Sequence, residues 1–561
     1  MQIKQTVLRA LLILFPCSVF SQSVSLPQGD KANIILERME IKSRTDSFFN
    51  FSKTRPFTRL HTINAVSHYL QQNGNEKISA VDAHNVKSVM LNNLEYVPVA
   101  DRMKYASKKS IWKNFYKTPA NLYEVHTKDF DLVVNPVIQF VVAKEKDNDE
   151  TLYLNSRGLS LRGKIANKIG FYTYLTDNQE KDPFYVRNWV NAREAVPGAG
   201  NYKTFKTTGY DYFDARGGIS FNVTKYIDVA FAYDRNFIGN GYRSMMLGDQ
   251  SNSNLFLKLN TRIWKINYQN LFMELHNTEK RTGDRLIGKK YAAIHHLDIA
   301  LTKWLNMGLY EAVVFGRKDH FEFGYLNPII FYRSIEFQNG SFDNSLAGLD
   351  LKANVAKKFQ LYGQLVLDEF VLSEITKNRG YWANKWAIQA GVKYIDAFGI
   401  SNLDLQLEHN RARPFTWSHN DSVANFTHYN QPLAHPLGAN FSEYIGIARY
   451  QPAPKWLVVA KLIAYTQGRD SSSRSFGSNI FLPNQAPFRS GDYGYAIGSG
   501  WKTNVFYGSL LVSYELKENM FFEFNAVYRK QDTKTAPITS SNTSVVSFGF
   551  RWNMHRREVD Y

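Results

Sequence analysis

Cysteine is nearly missing from this chain: 561 residues contain one, Cys17, and it lies in the N-terminal apolar run. Neither disulfides nor thiolate chemistry are therefore expected in the mature protein. Long apolar runs are missing too. Ala10 to Phe20 is too short for a membrane helix, which needs about 20 residues, and no later run approaches that length. If the protein crosses a membrane, it must cross with strands. Acidic residues are in deficit, 50 against 68 Lys and Arg, so the formal charge is +18. This excludes an acidic, solvating protein and favours an anionic partner, either lipopolysaccharide phosphates or an acidic polysaccharide. Nucleic acid is not expected, because the basic residues are spread along the chain and residues 1–21 read as an export signal. A basic lumen and basic rims without a single ligand would give the same charge.

Motifs of common chemistry are also absent. There is no G-x-S-x-G elbow and no H-E-x-x-H pair. Gly283 to Lys290 has phosphate-loop spacing, but Lys290 stands where a magnesium-binding hydroxyl belongs, and YAAIHHLDIALT after it reads as a strand. No cofactor is expected.

What the chain has in abundance is aromatic residues, 15% of the total, and alternation. In LDLQLE, Leu403, Leu405 and Leu407 alternate with Asp404, Gln406 and Glu408. Such a strand, oily on one face and charged on the other, suits a wall between lipid and a wet lumen. Ile219, Phe221 and Val223 repeat the pattern, as does IDVAFAYD with Asp228, Ala230, Ala232 and Asp234 inward, and so does the closing VVSFGFRW. The expected fold is mainly β, a large outer-membrane antiparallel β-barrel of about 16–18 strands. The tail MHRREVDY departs from the pattern, since barrel chains usually end on their last strand.

The N-terminal part differs. Lys4 and Arg9, the apolar run, and small residues Val19 and Ser21 form a secretory signal over 1–21; acylation of Cys17 is an alternative, with Pro16 an awkward neighbour. Leu60, Ile63, Val66 and Leu70 recur at helical spacing before Asn73-Gly74, and Ser79 with Asp82 opens a second helix bearing Val86, Val89, Met90 and Leu94. Residues 22–118 are therefore expected to be a small periplasmic helical bundle, which either caps the barrel or docks a protein partner through 30–118. Residues 119–561 form the barrel with its lumenal and extracellular loops.

Two polar clusters are the candidate sites. The first, 234–252, brings Arg235, Asn236 and Arg243 around Gly239 and Gly241. The second, 413–440, carries Arg413, Trp417, His419, His428, Tyr429 and His435, and Arg411 just ahead of it is counted with the candidate ligand-binding residues. Aromatic faces beside amide and arginine donors fit a polysaccharide-binding groove, and a folded loop plugging the lumen needs the same residues. The histidine spacings match no metal-binding set. Asp368, Glu369 and Glu374 could pair for glycosidic cleavage, or form lumenal ion pairs.

The blocks DRNFIGNGYRSMMLGDQ, FGYLNPIIFYRSIEFQNGSFDN, NKWAIQAGVKYIDAFGI and THYNQPLAHPLGANF resemble the Wzi-type capsule-assembly outer-membrane family, in the Bacteroidetes branch that includes the gliding-motility protein RemB. That resemblance implies a large barrel with a periplasmic bundle, in contact with outer-membrane lipid, and a role in surface-polysaccharide attachment or gliding. It carries over no site residue. The expected function is non-enzymatic binding or organisation of surface polysaccharide; the alternatives are a gliding or adhesion component and a lumenal hydrolase.

Overall fold

The computed structural model describes residues 23–561, apart from 46, 73–77, 109, 113, 279–285, 330, 341–342, 472–473 and 536–537. The expected leader, the Asn73-Gly74 stop and the start of the phosphate-loop-like segment lie outside the described residues.

Among the described residues, eighteen long antiparallel strands close into one barrel. They are β1 (Phe130–Glu145), β2 (Thr151–Ile165), β3 (Ile169–Lys181), β4 (Gly209–Thr224), β5 (Ile227–Asp234) and β6 (Asn254–Ile263). Next come β7 (Ile266–His276), β8 (Lys289–Ala300), β9 (Leu305–Phe315), β10 (Asn344–Val355), β11 (Phe359–Glu369) and β12 (Lys385–Tyr394). The last six are β13 (Leu403–Ala412), β14 (Phe441–Ala453), β15 (Trp456–Arg469), β16 (Trp501–Lys517), β17 (Met520–Thr533) and β18 (Thr539–Trp552). Closure comes from β18 pairing with β1, from Val545 opposite Glu145 to Trp552 opposite Ile138. Lys290 sits in β8, where a phosphate loop would need a helix.

The alternation decides which way each side chain points. On β13, Leu407 is 63% exposed while its neighbours Gln406 and Glu408 are 2% and 3% exposed. Phe506, Leu510, Phe524, Val546 and Phe548 continue the apolar outer face around the last strands. One end of the barrel has short turns, such as 225–226, 264–265, 454–455 and 518–519. The other has long loops, notably 182–208, 235–253, 316–343, 413–440 and 470–500.

Three helices occupy the short-turn end: α1 (Lys31–Ser43), α2 (Arg59–Gln72) and α3 (Ala80–Leu91). Asp30 caps α1 by accepting from Ala32 N at 2.8 Å, and Ser79 Oγ caps α3 by accepting from Asp82 N at 3.0 Å. Leu36, Met39, Ile63, Val66, Val89 and Leu94 form their shared core. The bundle is seated inside the barrel mouth and tied to its inner wall. Lys352 Nζ donates to Glu40 at 2.5 Å, Lys393 Nζ to Glu37 at 2.5 Å, and Arg162 Nε to Glu95 at 2.7 Å. Farther in, Thr54–Arg55 pairs with Phe237–Ile238 of the loop that descends from the opposite end.

The loop 316–343 does not stand above the barrel. It folds down its outer face, with a helix α4 (Tyr332–Asn339) lying over β7–β9. Tyr325, Tyr332 and Ile335 pack on the outward-facing Phe272, Ala293 and Val313. Beneath them lie polar wall residues: Tyr332 stacks on His295 at 3.9 Å, and Asn270 Nδ2 donates to Pro328 O at 3.1 Å.

Candidate functional site

Loops 235–253, 413–440 and 470–500 turn into the lumen and fill it. Their apolar side chains, Met245, Met246, Leu247, Trp417, Phe426, Leu433 and Phe481, form one cluster with inward residues of the wall. Gly239, with φ of +144°, and Gly241 allow the first loop to pass against the wall: a Cβ on either would lie 2.7 or 2.6 Å from the Gln364 or Gln389 side chain. The tail 553–561 turns back into the same space. Asp560 accepts from Arg243 and Lys461, each at 2.7 Å, Tyr185 OH donates to Val559 O at 2.7 Å, and Tyr561 packs on Trp189. The residues after the last strand thus form part of the lumen filling.

Most of the residues expected from sequence build this plug. Asn236 accepts from Lys258 Nζ at 3.1 Å, Arg235 donates to the Gly198 and Asp249 carbonyls, and Arg243 is held by Asp560. Burial and the neighbouring Arg216 pull the Arg235 guanidinium down to about 10. Trp417 and His428 are 1% and 0% exposed. His428 Nδ1 accepts from His276 N at 3.0 Å and its Nε2 donates to Ser253 O at 3.1 Å, a pattern that only the neutral ring can make. Burial pulls His428 down to about 3 and lowers His419, which lies near Lys385. His435 is also lowered by burial, while its Nε2 sits 2.8 Å from Glu443. Tyr429 meets the His276 ring edge-on at 6.3 Å.

Arg411 is a correction. It sits at the outward parity of β13, beside Trp386 on the outer wall, and not with the plug residues. The carboxylates considered for glycosidic cleavage are held by cations: Asp368 and Glu369 each lie 3.0 Å from Lys385, and Glu374 lies 2.6 Å from Lys377. Among the described residues no three His, Cys, Asp or Glu side chains are grouped to hold a metal.

Above the plug, on the rim of the long-loop end, lies a surface that sequence reasoning missed. Loop 370–384 supplies Arg379, Tyr381 and Trp382, and loop 470–500 supplies Phe488, Arg489 and Tyr493. Arg489 stacks on Trp382 and Arg379 on Tyr493, each at 4.2 Å, while the Tyr381 and Tyr493 rings are 5.5 Å apart. Arg413 donates to the Tyr381 and Tyr495 carbonyls at 3.0 and 3.1 Å, joining the two loops. Phe488 and Tyr493 remain 40% and 41% exposed. Rings clamped by guanidinium groups are rigid faces with polar edges, the kind of surface that stacks on a sugar. The signal was present in RGYW (379–382) and RSGDYGY (489–495), where aromatic residues stand among Arg, Gly and Asp.

No protein-family model and no curated protein matches the chain. Among solved structures, OprD of Pseudomonas aeruginosa aligns with TM-score 0.42 at 10% identity, covering 75% of this chain and 94% of OprD. OccAB2 of Acinetobacter baumannii aligns with TM-score 0.41 at 8% identity, over 75% and 98%. Wzi of Escherichia coli is described as an outer-membrane protein involved in group 1 capsule assembly and as a carbohydrate-binding β-barrel. It aligns with TM-score 0.57 at 11% identity over 95% of this chain and 100% of Wzi. This likeness shows the fold: an eighteen-stranded antiparallel barrel with N-terminal helices, of the architecture found in Wzi.

Proposed function

We propose that the protein is a non-enzymatic outer-membrane barrel of the Wzi type, in the RemB-like branch, that holds surface polysaccharide at its long-loop end. The observation that carries this reading is the clamped aromatic–arginine rim over a filled lumen. A plugged barrel has no channel to offer, so its outer rim is the surface available to a large glycan. The +18 charge and the fold shared with a carbohydrate-binding barrel support the same reading. In this placement the short turns and the bundle (22–118) face the periplasm, 119–561 form the membrane part, and the exposed apolar band contacts lipid. Arg413 takes part by joining the two rim loops. The buried members of the sequence-derived set, Trp417, His428 and His435, keep the rim in place from below.

The test is the partition of polysaccharide between cells and medium in strains carrying Tyr381→Ala, Trp382→Ala and Tyr493→Ala together. Shedding into the medium at unchanged total synthesis is expected. Normal retention, with the variant present at its usual level in the outer membrane, overturns the rim as the site. That result would turn the reading to a motility or adhesion component, favoured by the exposed Val99, Met103 and Trp112 (75%, 80% and 83%) that follow the helices.

A further inference from the structure

Between the helical bundle and the barrel wall lies a cavity of about 260 Å³, separate from the rim and at the opposite end of the molecule. Its charge is one-sided: nine Arg or Lys side chains line it against four carboxylates. The four carboxylates are engaged. Asp30 caps α1, Asp234 accepts from Tyr172 OH at 2.7 Å, Asp404 pairs with Arg38, and Glu515 lies 2.7 Å from Lys31.

Several of the cations are short of acids. Arg551 and Arg556 share one carboxylate, Glu523, at 2.8 and 2.6 Å. Arg59, 6% exposed, hydrogen-bonds neutral oxygens, Asn92 O at 3.0 Å and Asn93 Oδ1 at 2.7 Å. Arg449 donates to Gln406 Oε1 at 3.1 Å and reaches Glu37 only at 3.9 Å. The Nε–H groups of Arg59 and Arg556 are buried with no acceptor. Both residues line the cavity, and with few acids beside them their guanidinium groups present positive charge to it. Burial and Arg162 already pull Arg59 down to about 10, and burial holds the neighbouring His555 down at about 4 among Arg551, Arg216 and Arg59.

The rest of the lining sets the size and kind of the ligand. Leu26, Ile34, Leu161, Leu457 and Phe521 give apolar surface beside the cations, and Lys455, Trp456 and Asn519 lie at the short-turn rim. The volume lies just below the roughly 300–1,000 Å³ of small-molecule sites, room for one sugar-sized group. We infer that the cavity is a second binding site, specific for a single anionic sugar, a phosphate- or carboxylate-bearing hexose, entered from the short-turn end. Arg59, Arg449 and Arg556 hold the anion, and the apolar wall takes the ring.

The experiment is calorimetric titration of the full chain in detergent with glucose 1-phosphate, glucuronate, inorganic phosphate and glucose. Glucose 1-phosphate or glucuronate is expected to bind, glucose is not, and binding weakens as salt is raised. Arg556→Gln leaves Glu523 paired with Arg551, and Arg449→Gln leaves Glu37 paired with Lys393, so both variants keep their acids satisfied. Each is expected to lower affinity about tenfold, with an unchanged folded-barrel band on an unheated gel. Three results overturn the inference: no binding of either sugar anion, inorganic phosphate binding as tightly as glucose 1-phosphate, or unchanged affinity in both variants. The rim substitutions should leave these titrations untouched, so failure of the rim and failure of the cavity can be told apart.

Discussion

His428 shows what one buried side chain contributes. Its ring is held neutral between His276 N–H and Ser253 O, with its pKa near 3 in place of the usual value near 6.5. The unfolded chain therefore binds the extra proton below pH 6.5 and the folded chain does not. Stability is full above that pH and falls as pH drops from about 6.5 towards 3, by up to roughly 1.4 kcal/mol per pH unit. His61, also near 3 through burial and the adjacent Arg262, acts in the same direction. Asp560 has its carboxyl lowered by Arg243 and Lys461, and its contribution is lost only in the more acidic range below its ordinary value. Thermal unfolding in detergent at pH 7.5 and pH 5 should show a clear drop, made smaller by His428→Gln, whose amide can both accept and donate. An equal drop in the variant would assign the acid sensitivity elsewhere.

At the scale of elements, the bundle depends on buried charge. Glu40 is 4% exposed and Lys352 is fully buried, so replacing Lys352 by Met strands a carboxylate inside the mouth. A loss of about 3–5 kcal/mol is expected. Lys352→Met combined with Glu40→Leu should recover most of it, as read from the midpoint of denaturant unfolding. These elements were legible from sequence to different degrees. Helix and strand periods were plain because lipid and water, or core and water, impose them along a continuous segment. Parity even carried the outward position of Arg411, which shares it with Leu403, Leu405 and Leu407. Past Ala412 the strand ends and parity stops informing, so for Trp417 and His428 composition left a sugar groove and a lumen plug both open. The loop 316–343 was harder still. Tyr332 and the Pro328 carbonyl serve His295 and Asn270 on the outer wall, neighbours made only by strand pairing.

For the whole molecule, the filled lumen has a direct consequence. Eighteen-stranded barrels leave an aqueous channel when nothing occupies them. Here three loops, the tail and the bundle meet inside, so the intact protein should show no conductance in planar bilayers. Replacing residues 416–437 with a short Gly-Ser linker removes the centre of the plug and should produce open steps. Steady conductance of the intact protein would contradict the packing of Met245, Trp417 and Phe481 into one core.

The sequence by itself determined the wall. Each strand must satisfy its backbone through neighbours and show alternate side chains to lipid and lumen, and that rule is local enough to be written residue by residue. It also determined α2 and α3, through apolar spacing and the Ser79 cap. Only the tertiary structure decided what the inward and loop residues do. Arg243 meets Asp560 and Arg489 meets Trp382 across separations in sequence that the closed barrel alone brings together. Plug, rim and cavity are products of closure, and closure is a property of all eighteen strands at once.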